Sequence, residues 1–152
     1  MKENSYLYKK IRKIDDDELR PTFHFTAPVG WLNDPNGLIH YKNYYQLYYQ
    51  YNPYAPHWDN MHWGHARSKD GLHWEDMPIA MKPDHEYDKT GVFSGSAIEK
   101  DGKLYVLYTG AVDENGQITE TQCVAVSDDG VDFKKYENNT VMTVVDLPRD
   151  TD

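Results

Sequence analysis

Ala66-Arg67-Ser68-Lys69-Asp70-Gly71-Leu72-His73-Trp74 returns 59 residues later as Ala125-Val126-Ser127-Asp128-Asp129-Gly130-Val131-Asp132-Phe133. Both copies read as the end of one strand, an Asp-Gly turn and the approach to another strand. Asp supplies a side-chain acceptor for nearby backbone N–H groups, and Gly tolerates the positive φ of a tight reversal. The same offset carries Ile39 onto Ile98 and Leu47-Tyr48-Tyr49 onto Val106-Leu107-Tyr108, so the similarity extends well beyond one turn.

Working outward, the first unit predicts a strand over Leu38 to Tyr41, a turn at Lys42-Asn43 and a strand over Tyr44 to Tyr51. A loop over residues 52–60, with Pro53 and Pro56, leads to a strand from Trp63 to Ser68. That strand turns at Lys69-Asp70-Gly71 into Leu72 to Trp74. The second unit predicts strands over Ser96 to Glu99, Lys103 to Thr109, Gln122 to Ser127 and Val131 to Lys134, with turns at Lys100-Asp101-Gly102 and Asp128-Asp129-Gly130. Residues 78–90, with Pro83 and the acidic patch from Asp84 to Asp88, read as the connection between units. Each unit makes one four-stranded antiparallel sheet. Four-stranded sheets repeated at spacings of roughly 40 to 60 residues predict a β-propeller, with a β-sandwich as the alternative.

The expected fold class is therefore all-β. Residues 21–152 form about the first two blades of a propeller that typically needs four or more to close, and residues 1–20 form a partly helical extension, with helix over Lys9 to Leu19. The inner strand of each blade lines the central axis, so equivalent positions should face one pocket. The 59-residue offset pairs Asp34 with Phe93, and then with Asp152.

With 152 residues, 39% of them hydrophobic, the chain suits one domain. Its 13 Tyr, 4 Trp and 4 Phe make an unusual aromatic content, much of which lies between Trp31 and Trp74, where all 4 Trp and 7 of the Tyr fall; such side chains suit half-buried strands and sugar-binding clefts alike. A net charge of −9 argues against nucleic acid or an anionic membrane as partner, since both reward clustered cations. Cys123 is the one cysteine, which rules out an intrachain disulfide, and its apolar strand setting reads as a buried thiol. No apolar run has signal-peptide or bilayer-spanning length, so a cytoplasmic protein is expected.

Trp31-Leu32-Asn33-Asp34-Pro35-Asn36-Gly37 carries the chemistry. Pro35 pushes Asp34 to an extended conformation, and Asn36-Gly37 tolerates positive φ, so the Asp34 carboxylate sits on stiff backbone. A reacting group gains from that, since a misplacement of about 1 Å can cost roughly a hundredfold in rate.

That motif, with His24-Phe25-Thr26-Ala27-Pro28, Tyr49-Gln50-Tyr51-Asn52-Pro53, Trp63-Gly64-His65-Ala66, Phe93-Ser94-Gly95-Ser96 and Tyr108-Thr109-Gly110, resembles glycoside hydrolase family 32, the β-fructofuranosidases. The resemblance implies a five-bladed propeller followed by a β-sandwich. It makes Asp34 the nucleophile of a retaining mechanism, in which an ionised carboxylate about 5 to 5.5 Å from an acid traps an oxocarbenium-like fructosyl group. It also places Trp31, Leu32, Asn33, Gln50, Trp58, Phe93 and Ser94 around the sugar. Asn33, Gln50 and Ser94 would bond hydroxyls, while Trp31, Trp58 and Phe93 would form apolar walls.

The chain departs from the family pattern in three places. Arg149-Asp150 is followed by Thr151, where the family's hydroxyl-holding Asp belongs to an Arg-Asp-Pro motif. The acid/base Glu of the family's Glu-Cys motif has no counterpart, and Glu75, Glu99 and Glu120 do not match it. Val92 stands where relatives often carry Cys. The isolated chain is accordingly expected to be inactive, because general acid catalysis typically contributes 10²–10⁴-fold.

The expected partner is a small sugar, namely sucrose, sucrose 6-phosphate or a fructan, with no cofactor and no metal. A non-catalytic sugar-binding module is the competing reading; the rigidly placed Asp34 argues against it. His57, His62 and His65 with Asp59 match no zinc spacing. Sucrose and its 6-phosphate differ by a group that Arg or Lys would recognise, but the sequence does not place Arg67, Lys69 or Lys82 in the pocket; the absence of a leader favours a sucrose-6-phosphate hydrolase over a secreted levanase.

Overall fold

A computed structural model describes residue 21 and residues 24–143. The expected helix from Lys9 to Leu19, the Arg149-Asp150 pair and Asp152 lie outside the described residues. Eight strands form two four-stranded antiparallel meanders. The first contains β1 (Trp31–Tyr41), β2 (Tyr44–Asn52), β3 (His62–Ser68) and β4 (Trp74–Met81). The second contains β5 (Gly91–Lys100), β6 (Lys103–Glu114), β7 (Gln117–Ser127) and β8 (Lys134–Lys135).

Turn chemistry explains the hairpins. Lys42 and Asn43 both take left-handed φ, 48° and 65°, as do Asp101 and Gly102, 53° and 75°. Two such residues in succession give a reversal whose twist matches that of the flanking strands. Asn115-Gly116, at 59° and 87°, makes a third hairpin that joins β6 to β7. Because of it, β6 runs past the expected end at Thr109 and β7 begins ahead of the expected Gln122.

The repeated Ser-x-Asp-Gly stretch folds identically in both sheets. Ser68 Oγ accepts from Gly71 N at 2.9 Å, and Asp70 Oδ1 accepts from the backbone N–H of Leu72 and His73 at 2.9 and 2.8 Å. Ser127 Oγ accepts from Gly130 N at 2.8 Å, and Asp129 Oδ1 accepts from Val131 and Asp132 at 2.8 and 3.0 Å. These bonds hold residues 71–73 and 131–133 in the turn. The fourth strands therefore begin at Trp74 and Lys134, not at Leu72 and Val131 as expected.

The expected break at Pro78 is also corrected, since β4 continues through it to Met81. β4 is an edge strand paired only with β3, and its register slips between the Trp63↔Met81 and His65↔Met77 pairs, the interval that contains Pro78. An edge with an irregularity is where a residue lacking an N–H can sit.

The core lies between the sheets. Tyr41, Tyr48, Trp63 and Met81 from the first pack on Val92, Leu104, Val106, Tyr108, Cys123 and Ala125 from the second. Two tyrosine hydroxyls fasten the far side: Tyr48 donates to the Gly130 carbonyl at 2.6 Å and Tyr41 to the Gly102 carbonyl at 2.7 Å. The opposite face of the first sheet, with Leu47, Tyr49, Tyr51 and Ala66, is covered by Phe25, Ala27, Val29, Leu32, Trp74 and Ile79. The inner strands meet closely enough that a Cβ on Gly37 would lie 3.1 Å from the Cβ of Ala97.

The acidic connection is organised around one buried charge. Asp88, fully buried, accepts from Tyr108 Oη at 3.0 Å and from Lys135 Nζ at 2.5 Å, while Lys135 also bonds Asp84 at 2.7 Å. Among the described residues no helix is long and apolar enough to cross a membrane.

Candidate active site

The site is built from the same irregularity made twice. Between the Leu32↔Tyr51 and Pro35↔Tyr49 pairs, Asn33 and Asp34 on β1 face Gln50 alone on β2. Between Phe93↔Thr109 and Gly95↔Tyr108, Ser94 is the unpaired residue of β5. A β-bulge bends its strand and re-aims a side chain, and here both inner strands re-aim one toward the same space.

This register changes the repeat arithmetic. β1 carries one further irregularity between Asn36 and Ile39 that β5 lacks, so ahead of it the offset along the inner strands becomes 60. The counterpart of Asp34 is Ser94, where the uniform offset gave Phe93. Asn33 then corresponds to Phe93 and Gln50 to Thr109.

Four consecutive residues of β5 are fixed by the first sheet. Gln50 Nε2 donates to the Val92 carbonyl at 2.9 Å, and Trp63 Nε1 donates to the Phe93 carbonyl at 2.9 Å. Ser94 Oγ donates to Asp34 Oδ2 at 2.8 Å, and Gly95 N donates to Asn36 Oδ1 at 3.2 Å. A side chain at Gly95 would force the two strands to shift, because its Cβ would fall 2.0 Å from the Leu107 carbonyl oxygen. The bulge that presents Ser94 is thus held by four hydrogen bonds and one close backbone approach.

Asn33, Asp34, Gln50, Trp58, Phe93, Ser94, Thr109 and Glu120 line an open cleft of about 210 Å³. Trp58 stands on the loop before β3, with its ring edge-on to Phe93 at 5.7 Å between centroids. The Asn52 side chain shapes that loop, donating to the His57 carbonyl at 3.0 Å and accepting from Tyr54 N at 3.1 Å.

Two of the expected site residues do not line the cleft. Trp31 sits beside it, its Nε1 donating to Asn33 Oδ1 at 2.8 Å, which orients the Asn33 amide. Leu32 packs against the Leu47, Tyr49, Tyr51 and Ala66 cluster on the other face of the sheet. Strand alternation puts it there, one residue before the bulge.

Thr109 and Glu120 are the lining residues that sequence reasoning missed. In the sequence Thr109 stands out only as part of Tyr108-Thr109-Gly110, and Glu120 does not match the family's Glu-Cys motif. The signal that finds them is the register. Thr109 is the counterpart of Gln50, and β7 pairs Thr109↔Gln122 and Ala111↔Glu120, so Glu120 and Gln122 share one face of β7.

Two of the histidines near the loop, His62 and His65, are engaged elsewhere. His62 Nδ1 lies 2.6 Å from the Asn60 carbonyl oxygen, while the buried His65 stacks on Tyr48 and bonds Gln46 Oε1 at 2.8 Å. Burial pushes the His65 imidazole down to about 3. The described carboxylate and imidazole groups close enough to share a cation are Asp84, His85 and Asp88, and the Lys135 ammonium already sits against both aspartates. Arg67 and Lys69 lie over the Tyr44 ring, away from the cleft.

Residues 24–151 match the model of the glycosyl hydrolases family 32 N-terminal domain. The chain belongs to that family. Among family 32 relatives, the sucrose-6-phosphate hydrolase of Zymomonas mobilis is 47% identical over 131 residues, covering 84% of this chain and 26% of that protein. The sucrose-6-phosphate hydrolase of Escherichia coli is 49% identical over 131 residues, covering 83% and 28%. The solved family 32 β-fructofuranosidase of Bombyx mori superposes with a TM-score of 0.82 at 38% identity, over 97% of this chain and 32% of that one. The two sheets are accordingly family 32 propeller blades, and the chain spans about a quarter of the length of the curated relatives it matches.

Proposed function

We propose that the whole protein carrying this chain hydrolyses β-D-fructofuranosides, sucrose or sucrose 6-phosphate, with retention of configuration and with Asp34 as nucleophile. The observation that carries the reading is the bond from Ser94 Oγ to Asp34 Oδ2. It fixes one carboxylate oxygen on a bulged strand, while Oδ1 has no protein partner among the described residues and can attack the anomeric carbon.

The rest of the cleft suits a sugar. The Asn33, Gln50 and Thr109 side chains offer donors and acceptors, and Trp58 and Phe93 supply an apolar corner for carbon-bound hydrogens. Supporting the substrate class, relatives bear the names sucrose-6-phosphate hydrolase and β-fructofuranosidase, and a mutant of the Bombyx mori enzyme was solved with sucrose bound. The proton for the leaving oxygen must come from a second carboxyl group. The family resemblance gives that role to a Glu of a Glu-Cys motif that these 152 residues do not contain, so the reaction is proposed for the whole protein.

The test is Asp34→Asn in the whole protein. Sucrose turnover should fall by at least about a thousandfold, as expected when a covalent nucleophile is removed, while fructose still binds within a few-fold of wild type. Turnover by D34N close to wild type overturns the assignment. A wild-type protein that binds fructose and hydrolyses no fructoside identifies a sugar-binding module instead.

A further inference from the structure

Glu120 and Thr109 form a second wall of the cleft, contributed wholly by the second blade. Gln122, two residues from Glu120 on the same face of β7, donates from Nε2 to Thr109 Oγ1 at 2.9 Å. With an acceptor site of its hydroxyl taken by Gln122, Thr109 has its own hydrogen left to donate. Glu120 is exposed on the strand and, when ionised, only accepts. One donor and one acceptor on the same wall of the cleft complement two neighbouring hydroxyls, each of which can give and take a hydrogen bond. The lining holds two carboxylates, Asp34 and Glu120, and no cation among the described residues, so this wall is electrostatically suited to neutral hydroxyls and not to a phosphate.

Resting on the fructosidase reading, we propose that Thr109 and Glu120 bind a pair of vicinal hydroxyls of the sugar, with Gln122 as the positioning residue that orients Thr109. Glu120 binds substrate and transfers no proton.

The test uses the whole protein with sucrose and its monodeoxy derivatives. Glu120→Gln and Thr109→Val should each raise KM about tenfold and leave kcat within about threefold, the pattern of a lost uniform binding contact. Each variant should also cease to discriminate against one particular deoxysucrose that wild type binds weakly. Gln122→Leu should reproduce the Thr109→Val effect in part, and T109V combined with Q122L should be no worse than T109V alone. Unchanged KM in both E120Q and T109V overturns the proposal. So does a loss of 10²-fold or more in kcat at constant KM for E120Q, which would make Glu120 the proton donor. Wild-type protein inert toward every fructoside overturns the fructosidase reading on which the proposal stands, whereas active wild type with unaffected variants overturns the proposal alone.

Discussion

Ser94 occupies in the second blade the bulged position that Asp34 occupies in the first, and its hydroxyl donates to the Asp34 carboxylate at 2.8 Å. The repeat thus places two copies of one backbone irregularity side by side, one bearing the proposed nucleophile and the other its hydrogen-bond donor. Ser94→Ala removes a bond to a charged group, worth about 1.5–3 kcal/mol. The expected result is a drop of roughly ten- to a hundredfold in kcat/KM for sucrose, with the melting temperature moved by no more than a few degrees.

Gly95 follows Ser94 where a Cβ would meet the Leu107 carbonyl oxygen at 2.0 Å and the Tyr108 Cα at 2.7 Å. Backbone atoms cannot rotate away. Gly95→Ala should cost about 1–3 kcal/mol in a urea melt, as overpacking does. It should also lower activity more than the stability loss explains, because the displaced strand is the one that presents Ser94.

Trp58 is 49% exposed and touches Phe93 edge-on, so it contributes little to folding and much to the apolar corner of the cleft. Trp58→Ala should raise KM for sucrose about tenfold through lost stacking surface, with stability unchanged within about 0.5 kcal/mol. Initial-rate kinetics beside a thermal melt separate the two effects.

Lys135 holds the fully buried Asp88 and the half-exposed Asp84 together. Removing one partner of a buried pair leaves an uncompensated charge, so Lys135→Met should destabilise the protein by about 3–5 kcal/mol. Adding Asp88→Asn removes that charge and should recover much of the loss. A double-mutant cycle by urea denaturation reads the coupling directly.

His65 makes stability depend on acidity. Its folded pKa is depressed to about 3 by burial, while the unfolded value is near 6.5, so between those values the unfolded chain binds the extra proton. The stability it contributes is whole above about pH 6.5 and is lost as pH falls toward 3, reaching a loss of roughly 2 kcal/mol at pH 5. His65→Gln should flatten the fall in urea midpoint between pH 7 and pH 5. The remaining slope belongs partly to His62, whose pKa burial also lowers.

Local chemistry made the blades legible in the sequence. Asp-Gly turns and the Ser-x-Asp-Gly stretch form their hydrogen bonds within three residues, so the letters alone carry them. The path of β4 through Pro78 was not legible, because only the sheet order shows that this strand is an edge that tolerates a missing donor. Asp34, Asn33, Gln50, Trp58, Phe93 and Ser94 were expected in one site and line one cleft. The partner of Asp34 lies one residue from where the uniform repeat puts it, because a bulge shifts register without leaving a mark in an ungapped repeat, whereas Leu32 faces the other side of the sheet through strand alternation alone. Glu120 lies in a run of exposed strand residues, and only the packing of one blade on the next decides which of them meets the cleft.

The donor and acceptor of the Ser94–Asp34 bond lie 60 residues apart in the chain. Synthesis proceeds from the N-terminus at about 5–20 residues per second, so several seconds separate the emergence of the two side chains. During that interval the carboxylate is present without its donor, and no local folding can supply one, because every bond that fixes Val92 to Gly95 onto the first sheet awaits the second. The proposed active site is therefore a late product of long-range docking, and a nascent chain that has finished its first blade holds the reactive group but not the geometry that would make it react.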